Sequence, residues 1–360
     1  MQIGIIGLPG SSKTTIFGAL THRDVVTRPF SSGKFETQTA VVEVPDPRVD
    51  RLSALFQPRK TTRAQVQYND IAGLDAGVNR AGGFSPALLN AIAVNDALLH
   101  VVRAFEDEAV PHIRGSVNPQ RDLRDLDSEL LLADLAVVEH RIERIARDAS
   151  RPGTLGDAAR AEMELLSPLK AALEAETPLR DLDLPPADLL RLRGFGFLSL
   201  KPVLVVLNVG DQGTLDPATI LTYPHRHSAL IALRGGLERE IAQMDEASAE
   251  LFLSEYGIAE PSLRRLIRLS YDLLGVQSFF TVGPDEVRAW TMARGGTAVD
   301  AAGTIHTDLA RGFIRAEVIG YDDLVDAGSL AEAKNRGLLR LEGRDYVVKD
   351  GDVLEIRFNV

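Results

Sequence analysis

The segment that most constrains this chain lies at its start, where a short apolar run, residues 3–6, leads into Gly7-Leu8-Pro9-Gly10-Ser11-Ser12-Lys13-Thr14. Gly7, Lys13 and Thr14 stand at the spacing G-x-x-x-x-G-K-[ST], in which a strand turns through a glycine-bearing loop into a helix. Backbone N–H groups of such a loop, with the helix N-terminus behind them, cradle a phosphate. Lys13 reaches the β- and γ-oxygens, and the Thr14 hydroxyl is placed to ligate Mg²⁺. Gly7, Gly10, Ser11, Ser12, Lys13, Thr14 and Thr15 are the candidate phosphate-binding residues. Ser12 departs from the pattern, which has glycine there. A positive φ at a serine costs on the order of 1 kcal/mol, although its hydroxyl can itself meet a phosphate.

Apolar runs at 3–6, 40–44, 64–70 and 97–102 alternate with helical segments, which predicts an α/β fold with a parallel sheet covered on both faces. The next strands, 202–208 and 229–233, follow an insertion of about 90 residues, too long for a plain connection. Within it Leu123, Leu126, Leu130, Ala133 and Val137 recur at helical spacing, and Ile142 and Ile145 continue after a shift. Pro152-Gly153 breaks the run, and Met163, Leu166, Leu169 and Leu173 form a second stripe. Two such stripes predict an antiparallel helical hairpin. The expected organisation is a discontinuous nucleotide-binding domain at 1–117 and 199–276, a helical insertion at 118–198, and a small mixed β domain at 277–360.

Composition removes several classes of function. None of the 360 residues is cysteine, which excludes disulfides, thiolate zinc sites and thiol redox control. No apolar run approaches the roughly 20 residues of a membrane helix, and the N-terminus has no secretory signal pattern, so a cytoplasmic protein without membrane association is expected. A net charge of −11 argues against DNA, whose binding needs clustered cations. The local basic groups, Arg59-Lys60 with Arg63 and Arg264-Arg265 with Arg268, read as solvated faces rather than RNA sites.

Further chemistry follows the phosphate loop. Asp70-Ile71-Ala72-Gly73 ends the third expected strand, where a D-x-x-G element holds Mg²⁺ through Asp70 and senses the γ-phosphate through the Gly73 N–H. Leu74 follows, where many GTPases carry a water-orienting glutamine. Asn208-Val209-Gly210-Asp211 ends the fifth strand as a candidate base-binding segment. The Asp211 carboxylate can accept two hydrogen bonds from guanine, whereas adenine offers it a lone pair. Val209 replaces the lysine that usually covers the base, so ATP and GTP both stay open. His306 and Trp290 read as turn and core residues without chemistry.

Several long segments carry a family resemblance. Gly7-Leu8-Pro9, Pro45-Asp46-Pro47-Arg48, Asp70-Ile71-Ala72-Gly73-Leu74 and Val101 through Asp107 resemble the YchF and Obg-like ATPases, translation-factor-class P-loop NTPases. Phe279-Phe280-Thr281-Val282-Gly283, Glu286 through Trp290, Ala302 through Asp308, Gly312 through Val318 and Tyr346 through Asp352 resemble that family's TGS domain. The resemblance implies a Ras-like nucleotide domain with an inserted helical hairpin and a C-terminal β-grasp (TGS) domain. It also implies slow Mg²⁺-dependent hydrolysis of ATP, with GTP as a second substrate, and association with ribosomes. RNA contact would run through the TGS domain or the arm.

By the same resemblance His112, in the loop after Phe105-Glu106-Asp107, is the water-positioning residue, a role that suits an imidazole near neutral pH. With Lys13 and Gly73 it makes the catalytic set. Thr14, Asp70 and a threonine of the first switch, Thr37 or Thr39, are the metal set, with Thr37 the candidate. The chain departs from the family at Gly10, Ser12 and Thr14, in a first switch about two residues longer, at Asp211 in place of glutamate, at Arg234-Gly235-Gly236, and at Ser31 near a family cysteine. These departures keep a second reading open: a paralogue that binds ribosomes or RNA with little or no hydrolysis.

Overall fold

In the computed structural model the alternating strands and helices form two six-stranded sheets. The structure describes residues 1–21, 37–71, 84–149, 153–211 and 213–359. Ser31, Gly73 and Leu74 lie outside them. The strands are β1 (Gln2–Ile6), β2 (Thr37–Glu43), β3 (Lys60–Thr62), β4 (Gln65–Ile71), β5 (Ala97–Ala104), β6 (Val203–Val209), β7 (Ser228–Leu233), β8 (Val276–Thr281), β9 (Glu286–Ala293), β10 (Phe313–Gly320), β11 (Arg340–Glu342) and β12 (Asp352–Phe358). The chain divides into two compact units, Met1–Ala40 with Gln67–Leu266, and Val41–Val66 with Ile267–Val360.

The sheet of the first unit runs β2-β4-β1-β5-β6-β7. The β4–β1, β1–β5, β5–β6 and β6–β7 pairs are all parallel. β1, β5 and β6 are largely aliphatic, and every residue of β6 is buried, as a sheet covered on both faces demands. The chain order reverses around β1, which has β4 on one side and β5 on the other. An open α/β sheet binds ligands in the crevice outside the C-terminal ends of its strands at such a reversal.

The insertion is a helical hairpin, Pro119–Ala149 and Thr154–Glu174. Leu123, Leu126 and Leu130 at its root belong to the core of the sheet. Farther along, Val138 and Ile145 pack with Ala159, Leu165, Leu166, Leu169 and Leu173. The stripe departs from the expected one at Val137, which is 41 % exposed, while Val138 is fully buried. Steps of four from Leu130 lead through Asp134 to Val138, and a polar residue in the stripe hides this phase from an apolar-only reading.

Asp134 is 2 % exposed. Its carboxylate accepts from Leu198 N at 2.8 Å, Ser199 N at 2.7 Å and Ser199 Oγ at 2.6 Å, fixing the return of the arm to the sheet. Burial pushes this carboxyl up to about 6, against the pull of those three donors. Asp134→Ala should cost about 3 kcal/mol, because it orphans two buried N–H groups and a hydroxyl. Urea unfolding measures the loss, and an unchanged midpoint would refute the structural role.

In the second unit the sheet order is β11-β10-β12-β8-β9-β3. The helix Ala298–Ile305, started by a capping box of Thr297 and Asp300, packs its alanines against Phe279, Phe313, Val318 and Leu354. That is a β-grasp. β3 was not visible in the sequence. Its three residues carry no apolar signal, and they pair in parallel with β9 from Lys60↔Glu286 to Thr62↔Arg288. Asp46 N-caps the helix Pro47–Phe56, and Arg48 bridges Asp46 and Asp350 with its guanidinium 5.1 Å from the Phe280 ring. The Pro45-Asp46-Pro47-Arg48 segment is thus a structural clasp.

Trp290 stacks on Phe279 and donates to Thr281 Oγ1 at 2.9 Å. His306 caps a short helix by accepting from Asp308 N at 3.2 Å. Arg59, Lys60 and Arg63 pair with Asp285, Glu286, Glu43 and Asp50, so this basic group is locally neutralised.

Candidate nucleotide site

β1 delivers Gly7 to the crevice with φ 154°. A Cβ at that position would lie 2.3 Å from Val101 O, so only glycine fits beside β5. The loop then turns through Gly10 at φ 73° and Ser12 at φ 67°, and Ser11 N donates to Leu8 O at 3.2 Å. Ser12 adopts the left-handed conformation that the glycine of the pattern would supply. It bears a strain of about 1 kcal/mol, and the course of the loop is retained. The helix Lys13–Thr21 starts at the next residue, aiming its first N–H groups and positive dipole end at the loop.

Lys13 is 9 % exposed, and its Nζ donates to Gly7 O at 2.7 Å and Leu8 O at 3.1 Å. The ammonium is therefore already folded over the loop. Thr14 Oγ1 donates to Asp70 Oδ2 at 3.1 Å. Asp70 reaches this point because β4 and β1 are in register, with Ile5 opposite Asp70. Its Oδ1 is buried with no hydrogen-bond partner. Burial raises the Asp70 carboxyl above its ordinary value, opposed by the Lys13 charge and the Thr14 hydroxyl. Thr15 is half-buried on the following helical position.

Asn208, at the end of β6, joins two loops. Its Nδ2 donates to Ser11 O at 3.4 Å and its Oδ1 accepts from Gly235 N at 2.9 Å. A Cβ at Gly235 would lie 2.6 Å from Asn208 Oδ1, which explains a glycine in Arg234-Gly235-Gly236. Val209 packs in the core at 3 % exposure, whereas Asp211 is exposed. Thr37 is exposed at the start of β2, and the Thr39 hydroxyl donates to Asn69 Oδ1 at 2.9 Å.

His112 is placed differently from a residue facing open solvent. Its side chain is 4 % exposed, its Nε2 lies 2.9 Å from Asp122 Oδ2, and its Nδ1 accepts from Arg114 N at 3.1 Å. It lines a small, partly open pocket with Leu8, Pro9 and Ser11 of the phosphate loop and with Arg103.

Arg103 was missed by the sequence reading. It is 2 % exposed on β5 and donates to Phe105 O at 3.0 Å, Val110 O at 2.8 Å and Asp107 O at 3.4 Å. These bonds shape the loop that carries His112. The available signal was an arginine inside an otherwise aliphatic buried strand, which needs internal partners.

Comparison with known proteins places this geometry in context. The family model YchF-GTPase_C, described as a protein of unknown function, matches residues 276–359. The chain is 40 % identical to a protein of Bacillus subtilis named Ribosome-binding ATPase YchF, over the whole of both chains. It is 36 % identical to Obg-like ATPase 1 of Oryza sativa, covering 100 % of this chain and 92 % of that one. Among solved structures it is similar to the Schizosaccharomyces pombe YchF GTPase, with a TM-score of 0.86, 29 % identity, and coverage of 99 % of this chain and 97 % of that one.

Proposed function

The chain belongs to the YchF and Obg-like family of P-loop NTPases, and from that premise we propose that it binds ATP, with GTP as a second substrate, hydrolyses the β–γ phosphoanhydride slowly with Mg²⁺, and works in the cytoplasm in association with the ribosome. The observation that carries this reading is the half-buried Thr14–Asp70 hydrogen bond beside a loop whose Gly10 and Ser12 both have positive φ. Lys13 and the loop amides neutralise the phosphates, and the Gly73 N–H couples the γ-phosphate to the second switch. Catalysis of this kind is positioning and electrostatics.

The residues present suit a divalent cation. The Thr14 hydroxyl and the Asp70 carboxylate are hard oxygen donors, and one Asp70 oxygen is buried without a partner. Among the described residues no group of three or more His, Cys, Asp or Glu side chains converges. Thr14 and Asp70, with Thr37 from the first switch, would therefore hold Mg²⁺ together with phosphate oxygens, a habit of this ion. When bound, Mg²⁺ supplies charge neutralisation at the β- and γ-oxygens.

Because burial raises Asp70, its ability to serve a cation is lost at higher pH than for an ordinary carboxylate near 3.8. The sign is fixed by which form binds. Only the ionised carboxylate favours the cation, so Mg²⁺-dependent nucleotide binding should weaken as pH falls through the raised value. The raised value also means that this group's contribution to stability is greatest below 3.8 and declines as pH rises through the folded-state value. Nucleotide affinity measured across mildly acidic pH tests the first effect. Asp70→Asn should lose that pH dependence along with most of the Mg²⁺ requirement.

Base choice rests on Asp211, since Val209 is buried and the Asn208 side chain ties Ser11 to Gly235. ATP is put first in keeping with relatives that are named ATPases. Calorimetric titration with ATP and GTP, each with Mg²⁺, tests the order, and exclusive GTP binding would reverse it. Steady-state hydrolysis with and without ribosomes tests turnover and partner together. Absence of turnover in both, with ribosome binding retained, would favour the second reading, an interaction module, for which the burial of the His112 side chain against Asp122 is the motivating observation.

A further inference from the structure

The first turn of the arm holds the loop that carries His112. The helix Pro119–Ala149 begins there, and Arg121 N donates to Asn118 Oδ1 at 3.1 Å. The Asp122 side chain is 4 % exposed and faces His112 Nε2 at 2.9 Å through Oδ2. Its other oxygen, Oδ1, accepts from Arg121 Nε at 2.9 Å and Nη2 at 2.7 Å. Arg121 Nη2 also donates to Ser116 O at 2.7 Å. One carboxylate and one guanidinium thus fasten the His112 loop at both the ring and the backbone.

Nδ1 is hydrogen-bonded, and Nε2 is closed off by the buried Asp122 carboxylate 2.9 Å away, a close ion-pair contact outside hydrogen-bond geometry that leaves Asp122 Oδ2 without a hydrogen-bond partner. Nδ1 accepts the Arg114 N–H, so it carries no proton of its own, and Nε2 is the protonated nitrogen turned to Asp122. With its side chain 4 % exposed and Nε2 turned into the carboxylate, the imidazole in this position does not present a nitrogen to a water at a phosphate. Resting on the assignment of His112 as the water-positioning residue, we propose that Asp122 is a holding residue that keeps His112 in a resting position, so that release from Asp122 precedes hydrolysis. Because Asp122 belongs to a helix of 31 residues, about 46 Å long, whatever displaces the arm at its root also loosens the hold.

A different role for the same pair would be an Asp–His dyad in which the carboxylate orients a working base. The Arg114 N–H on Nδ1 disfavours it, since the nitrogen opposite the carboxylate should face the reaction. The two roles predict opposite signs for one substitution. In Asp122→Asn, the two Arg121 bonds keep an oxygen at the Oδ1 position, which leaves the amide NH₂ facing the Nε2–H. Two donors then oppose each other while shape and packing are kept. Asp122→Ala removes the partner altogether.

The experiment uses the full-length chain and its Asp122→Asn, Asp122→Ala, His112→Ala and Asp122→Asn/His112→Ala variants. It measures kcat and nucleotide Kd, and it follows modification of His112 by diethylpyrocarbonate with peptide mass mapping. The expected result is a kcat raised about fivefold or more in both Asp122 variants, an unchanged Kd, faster labelling of His112, and no increase in kcat when His112 is absent. A lowered kcat in Asp122→Asn with His112 labelling unchanged would overturn the hold in favour of an orienting dyad. Unchanged kcat and labelling would overturn it outright. If His112→Ala turns over as fast as the parent, the assignment of His112 itself falls and takes the hold's function with it. A slow His112→Ala beside unaltered Asp122 variants removes the hold alone.

Discussion

Replacing Lys13 by alanine should abolish measurable nucleotide binding. The Lys13 ammonium is the one strong positive charge that the phosphate loop itself contributes, and it already lies over Gly7 O and Leu8 O at 2.7 and 3.1 Å. Hydrogen bonds to charged groups are worth ~1.5–3 kcal/mol each. Two such contacts to the β- and γ-oxygens sum to about 3–6 kcal/mol, or roughly 10²–10⁴ in Kd. The loss extends to the neighbouring carboxylate, because the Lys13 charge opposes the upward shift of Asp70. Without it Asp70 ionises less readily and the Thr14–Asp70 pair becomes a poorer cation site. Calorimetric titration of Lys13→Ala with ATP and GTP is the measurement. Tight binding of either nucleotide by this variant would sink the nucleotide-site assignment.

His112→Ala should act on turnover and leave binding intact. A positioned acid–base group contributes ~10²–10⁴-fold, and a group that only orients water contributes toward the lower end, so kcat should fall at least ~10-fold. Kd should stay at the parent value, since the ring is turned toward Asp122 and Arg114. That combination marks an interaction made only in the transition state. Unchanged turnover would remove His112 from the mechanism and leave the slow rate to the loop amides and Lys13 alone.

Much of the fold was legible because its signals are local. Five of the expected runs coincide closely with β1, β4, β5, β6 and β7; β1, β5 and β6 stand out because strands buried on both faces are largely aliphatic wherever they occur. The hairpin was legible for the same reason, down to Leu166, Leu169 and Leu173 of its second helix. The phase error at Val137 arose where Asp134 enters the buried stripe, held there by donors that lie about 64 residues away in sequence. β3 escaped notice because Lys60, Thr61 and Thr62 pair with residues more than 220 positions later, a separation that no local pattern encodes.

For the candidate site the division runs the same way. Gly7, Lys13 and Thr14 are found by spacing, because a phosphate loop is built from consecutive residues. The meeting of Thr14 with Asp70 across 56 positions could be expected from the D-x-x-G pattern. The course of Ser12 could be posed in the sequence only as a question of cost. Its φ of 67° follows from the loop being held between Gly7, packed against Val101, and Ser11, held by Asn208.

The sequence by itself determined the phosphate-loop pattern, the α/β class and the inserted hairpin, each written in spacing and periodicity along one stretch of chain, while its long motifs carried the family resemblance. Only the tertiary structure decided that Ser12 takes the left-handed turn, that Arg103 shapes the loop carrying His112 from inside β5, and that His112 rests against Asp122. These depend on which distant groups must satisfy one another's charges and hydrogen bonds once water is excluded, and burial of that kind comes into being only when the chain has folded.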